Sequence, residues 1–152
     1  MDDTKRLELI AEAVRYCQNV KMLGMPASCY AKALREPIHF LWERRAGTKI
    51  RCAKFRSKAA TGLRFGKGEL VYDHAVPFRY LQNELLSLAP VTEQAVARAL
   101  EKFGTIVLIT KAENARLDAA GYGRKMPQDW DGADPLARYR ALDIELTENT
   151  DG

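Results

Sequence analysis

The stretch Gly68 to Phe78, GELVYDHAVPF, sets an aspartate beside a histidine where a short apolar run meets a proline. Histidine titrates near neutrality, so His74, at a strand end and open on one side, suits a general base. Successive strand side chains point to opposite faces, but that restriction weakens where the chain turns, so Asp73 and His74 can address one site. Asp73 would then bind a hard divalent cation while His74 deprotonates water, a division of labour fitted to phosphodiester hydrolysis. The other reading is that the pair closes the strand through local side-chain to backbone hydrogen bonds.

A second chemical feature lies just upstream. Between Arg44 and Lys67 stand Arg44, Arg45, Lys49, Arg51, Lys54, Arg56, Lys58, Arg64 and Lys67, with no acid among them. Such a block attracts polyphosphate by Coulomb steering and counterion release, and the interleaved Phe55 and Phe65 can pack on bases or sugars. Its alternative is a solvated face whose aromatics enter the core. Arg124 and Lys125 are further candidate phosphate contacts. The net charge of +4 is modest, so it is this local concentration that points to nucleic acid.

Other reactive residues read as structural. His39, beside Phe40 and Trp42, reads as a packed or rim residue. Trp130 with Asp129, Asp131 and Asp134 is either a substrate-facing loop or second metal site, or else Trp130 and Met126 tuck over the last helix while the acids make turns and caps. Cys17, Cys29 and Cys52 are far apart and form no CxxC pair, which predicts free thiols in a reducing compartment. All three precede His74 and none sits on a nucleophile elbow, so a Cys-His hydrolase is the weakest class. With no basic leader, no apolar h-region and no run of about 18 apolar residues, the expectation is a cytoplasmic protein without a membrane span. A length of 152 residues fits one domain that folds without metal or disulfide.

These residues need elements to position them. Leu7, Ile10, Ala11, Val14, Cys17 and Val20 recur at helical steps, Gly24 ends that helix, and ASCYAKALREPIHFLWERR predicts a second one broken near Pro37 and continued through Trp42. Loops and short strands follow, with ELVYDHAV the stronger strand. Two helices come next, FRYLQNELLSL and EQAVARALEKF, the latter capped by Thr92 and stopped by Gly104. TIVLIT reads as a buried strand, and Thr110 with Glu113 forms a capping box that opens the helix KAENARLDAA, ended by Gly121. Asp134 and Pro135 read as the N-cap and first residue of a last helix, LARYRAL, and TENTDG as a frayed tail.

DHAVP, residues 73 to 77, resembles the Asp-His-x-x-Pro signature that opens the catalytic module of HNH, or His-Me finger, nucleases, whose core is two strands and a helix around one metal ion. The resemblance covers about residues 69 to 120. It implies Asp73 as metal ligand, His74 as general base, and Asn114, in TIVLITKAENARL, as metal ligand or site organiser, with Mg or Mn as the divalent cation. The implied substrate is DNA, with RNA as the second choice, and the implied setting is phage biology or bacterial defence. The chain departs from the pattern in carrying two helices between its strands, no histidine after His74 and no CxxC knuckles. The expected fold is α+β, mainly helical with a small sheet carrying a ββα-metal-like core. It is read as one domain, 1–152, with a helical part (1–46), a basic segment (47–68), the HNH-like core (69–120) and a C-terminal loop and helix (121–152). The alternative function is a noncatalytic nucleic-acid binder, or an inhibitor or adaptor with a protein partner, acting through the basic 44–67 surface.

Overall fold

The structure, a computed structural model, describes residues 1–150. It is mixed α+β: seven α-helices, joined by shorter turns, and one four-stranded sheet are present among the described residues. Helices α1 (Asp3–Met22), α2 (Ala27–Pro37), α4 (Phe78–Leu86) and α5 (Glu93–Phe103) pack together around Ile10, Val14, Tyr30, Leu34, Leu81, Leu85, Val96 and Leu100. The helical spacing of apolar residues in α1 puts Ile10, Ala11, Val14 and Cys17 on one buried stripe, and Asp2 caps it by accepting from the Lys5 amide. Burying an aliphatic side chain of this size stabilises the fold by about 1.5–3 kcal/mol. None of the helices is long and apolar enough to cross a membrane.

Pro37 shapes the region that matters most for function. A proline in a helix donates no hydrogen bond and crowds the preceding turn. The chain answers by widening: α2 runs into a π-turn over Ile38–Trp42 and then a 3-10 turn over Glu43–Ala46. The helix is therefore altered at Pro37 and not interrupted. A short α3 (Lys49–Cys52), capped by Thr48, leads into the sheet.

Strands β1 (Phe55–Ser57), β2 (Leu70–His74), β3 (Ile106–Thr110) and β4 (Leu146–Glu148) lie in the order β2-β3-β1-β4. The wholly apolar β3 is central, antiparallel to β2 and parallel to β1. One sheet face buries Val107 and Ile109 with Leu117 and Tyr139; the other buries Leu70, Ile106 and Leu108 against Ala53 and Ala60. Helix α6 (Lys111–Ala119) follows β3 through the expected capping box and packs on the first face. Antiparallel β2 and β3 followed by a capped helix reproduce the strand–strand–helix order expected from the sequence, with α4 and α5 inserted between the strands.

The C-terminal part corrects two expectations. Leu146–Glu148 is not frayed but pairs antiparallel with β1, because Asn149 ties the chain down by donating its side-chain amide to the Ile50 and Ala53 carbonyls at 2.6 and 2.9 Å. The end of the expected tail, residues 151 and 152, lies outside the described residues. The last helix, α7 (Ala137–Ala141), starts later than Pro135; Asp134 accepts from the Leu136 amide at 3.0 Å and pairs with Arg140.

Candidate active site

The ladder between β2 and β3 runs through Asp73↔Val107 and His74↔Ile106, and continues from the Ala75 amide to the Thr105 carbonyl. Strand alternation therefore holds to the end of β2, against the expectation that it relaxes there. Asp73 faces α6 and α7, while His74 faces the Glu43 turn.

On its face, Asp73 is held through one oxygen, and its side chain, 15% exposed, also borders the cleft that His74 lines. Its Oδ2 accepts from Arg138 Nη1 at 3.0 Å and from the Tyr139 hydroxyl at 2.5 Å. Arg138, 1% exposed, also donates to the carbonyls of Tyr122, His74 and Ala75. Burial first, and the Asp73 charge second, raise the Tyr139 phenol well above its ordinary value, so it remains a donor.

On the other face, both histidines of the chain meet one buried carboxylate. Glu43 is 7% exposed. Its two oxygens lie 3.1 and 3.0 Å from His74 Nε2, its Oε1 lies 3.3 Å from His39 Nδ1, and the Tyr72 hydroxyl donates to it at 3.4 Å. Burial acts to raise the Glu43 carboxyl, but hydrogen bonds and charge from His74, and then from His39, outweigh it and hold the group below the usual carboxylate range. Tyr72 moves the opposite way, its phenol raised by burial and then by the Glu43 charge. Packing holds the rings: His74 stands edge-on between Tyr72 and Phe78, with centroids 5.9 and 6.3 Å away.

His74 uses Nε2 on Glu43, and its Nδ1 has no hydrogen-bond partner among the described residues. The ring lines an open cleft of about 510 Å³ together with Tyr72, Asp73, Phe78, Gln82, Arg35, Arg79 and Arg124. The three arginines are exposed, and among the described residues none is paired with a carboxylate. Arg35 lies over the Phe78 ring at 5.8 Å. The segment bearing Arg124 is tied to α4, where the Tyr80 hydroxyl accepts from the Met126 amide at 3.2 Å, and Trp130 packs edge-on against Tyr80 and beside Phe103. Trp130 and Met126 thus pack into the helical cluster, while Asp131 and Asp134 make turns. The cleft joins an imidazole fixed by a buried carboxylate to unpaired guanidinium groups, a constellation suited to binding an anion and moving a proton beside it.

Asp73 and His74 both border the cleft, but Asn114 does not join them. Asn114, half-buried, stands on α6, which starts at the Leu70↔Thr110 end of the strand pair, about 13 Å along β2 from His74. A divalent cation (Mg or Mn) on Asp73 would sit beside the buried Arg138 charge and have no second ligand from Asn114, so the donor set implied by the resemblance is not assembled as arranged.

The basic segment wraps round β1 and does not form one face. Arg44, Arg45, Lys49, Arg51, Lys54, Lys58, Arg64 and Lys67 are exposed, but Arg56 is 3% exposed and donates to the Leu63 carbonyl at 2.7 Å. Both faces of β1 are covered, so Arg56 is a buried structural residue. Arg45 stacks on Trp42 at 3.9 Å and Lys58 pairs with Glu145 at 2.9 Å. Lys49 lies 5.8 Å from the Tyr72 ring and 5.9 Å from that of Phe65, beside the Glu43 cluster.

Sequence reasoning missed Glu43, Arg35, Arg79 and Gln82. A sign of Glu43 was present: His39 and Glu43 stand four apart in HFLWE, neighbours on a helical surface. Comparison with family models, curated proteins and solved structures found no match.

Proposed function

We propose that this chain cleaves phosphodiester bonds of a nucleic acid in the His74 cleft. His74 Nδ1 takes the proton from the attacking hydroxyl, Glu43 holds the imidazole in the tautomer and orientation that the transfer requires, and Arg35, Arg79 and Arg124 bind the phosphate and stabilise the charge that grows on it. The reading keeps His74 as the base, gives it Glu43 as its orienting carboxylate, and routes no step through the metal that the resemblance placed at Asp73 and Asn114. One observation carries it: a buried carboxylate gripping one nitrogen of an imidazole whose other nitrogen is free on the wall of an arginine-lined cleft. A general base contributes about 10²–10⁴-fold to rate, so His74→Ala should lower cleavage of RNA and DNA oligonucleotides by that factor while circular dichroism stays unchanged. Equal cleavage by the parent and the variant would end the proposal.

A noncatalytic reading is favoured by a different observation, the exposed cations Arg44, Lys49, Arg51, Arg64 and Lys67 near the exposed Phe65. The same experiment separates the two: that reading predicts salt-sensitive binding that is unchanged by His74→Ala, and no cleavage.

A further inference from the structure

Resting on that proposal, we infer that the substrate is single-stranded RNA and that the nucleophile is its own 2′-hydroxyl. The cleft supplies a proton acceptor and three positive charges, and the one carboxylate in its lining, Asp73, is held through Oδ2 by Arg138 and Tyr139. What the cleft supplies is a base and an anion clamp, and that set is sufficient for a nucleophile already attached to the substrate. A ribose 2′-hydroxyl needs only deprotonation and alignment beside the neighbouring phosphorus, and oriented intramolecular nucleophiles reach effective molarities of about 10⁵–10⁸ M.

The step balances without a co-reactant. The 2′-hydroxyl proton passes to His74 Nδ1 as the 2′-oxygen bonds to phosphorus. The bond from phosphorus to O5′ breaks, its electron pair leaves on O5′, and water in the open cleft protonates that oxygen. The products are a 2′,3′-cyclic phosphate and a 5′-hydroxyl end, and His74 returns its proton to solvent.

Aromatic rings in the cleft wall argue for a single strand. Phe78 lines it beside His74 and under Arg35, and Tyr72 lines it edge-on to His74. Rings interleaved with cations are a platform on which unpaired bases stack, whereas duplex bases are already stacked on each other.

The test uses the full chain in EDTA with four oligonucleotides of one sequence: single-stranded RNA, duplex RNA, single-stranded DNA, and that DNA with one internal ribonucleotide. The expected result is cutting of single-stranded RNA at least ~10³-fold faster than DNA, a single cut in the mixed strand 3′ to its ribonucleotide, cyclic-phosphate ends, and slow cutting of the duplex. DNA cut as fast as RNA, or 5′-phosphate ends, overturns the inference while leaving phosphodiester cleavage at His74 standing, provided that His74→Ala abolishes it. Duplex RNA cut as fast as the single strand overturns the single-strand assignment. No cutting of any substrate overturns both this inference and the proposal beneath it. Arg124→Ala, an exposed change that leaves the packing intact, should raise KM about tenfold for RNA; an unchanged KM would remove Arg124 from the phosphate clamp.

Discussion

Asp73 and His74 are neighbours in sequence, both ionisable and both bonded to a group of opposite charge type, yet their partners lie in two different regions of the molecule. Asp73 belongs to a largely closed network in which Arg138 and Tyr139 hold its Oδ2 and Arg138 is satisfied in turn by three carbonyls. His74 belongs to an open one, in which a buried Glu43 takes one ring nitrogen and the other faces a cleft. An ionic group with every partner inside the protein holds the fold together; one with a partner on one side only is left able to act on something else. The difference follows from strand parity, which sends adjacent side chains to opposite faces.

The largest effect should come from breaking the closed network. Arg138→Met removes a 1% exposed cation, leaving the Asp73 carboxylate with Tyr139 alone and three carbonyls without this donor. Removing one partner of a buried pair costs about 3–5 kcal/mol, a large share of the ~5–15 kcal/mol that a domain has in hand. Urea denaturation should show that loss, while the cleavage rate per folded molecule stays close to the parent's. A variant as stable as the parent would mean that the Asp73 network is not structural.

Next comes the open network. Glu43→Gln keeps the shape of the side chain but removes the charge that orients His74, so turnover should fall about 10²-fold with KM little changed. A purely structural Glu43 would lower the folded fraction and leave kcat per folded molecule unmoved. The kcat and KM split therefore tests the comparison directly.

Much of this architecture was legible in local pattern. The Thr110 and Glu113 capping box, the apolar β3 and the stripe of α1 each depend on residues within one or two turns, and all formed as expected. His74 was legible too, because a titratable group closing a strand before a proline is unusual on its own terms. Arg35, Arg79 and Arg124 reach the cleft from α2, α4 and the segment after α6, and Glu43 reaches His74 from the turn after α2, so no local spacing announces the arrangement; only Arg124 had been singled out as a phosphate contact. Asp73 was misplaced for a different reason: the β2 ladder runs through His74 and the Ala75 amide still bonds the Thr105 carbonyl, so the bend comes too late to swing Asp73 to the face of His74. Arg56 looked like its neighbours in the basic run because charge alone does not reveal which face of β1 a residue takes.

A smaller effect should appear in acid. The folded Glu43 carboxyl lies below its ordinary value near 4.5. A depressed carboxylate contributes stability that is present above that ordinary value and is lost as pH falls through it toward the folded value. The parent should therefore lose stability on acidification more steeply than Glu43→Gln, and denaturation curves from about pH 6 down to about pH 3 should draw together. Parallel pH profiles would mean that Glu43 does not carry this linkage.

The smallest effect should come from His39, which shares the carboxylate but not the cleft. Its Nδ1 lies 3.3 Å from Glu43 Oε1, longer than either contact from His74, and its side chain is 23% exposed. A contact at that distance and exposure contributes about 0.5–1.5 kcal/mol. His39→Asn should lower stability by roughly that amount and cleavage by less than about tenfold, since Glu43 still holds His74 through both oxygens. A loss as deep as that of His74→Ala would mean that the two histidines act as a pair, and the functional region would then extend from the cleft wall through Glu43 to the π-turn that Pro37 creates.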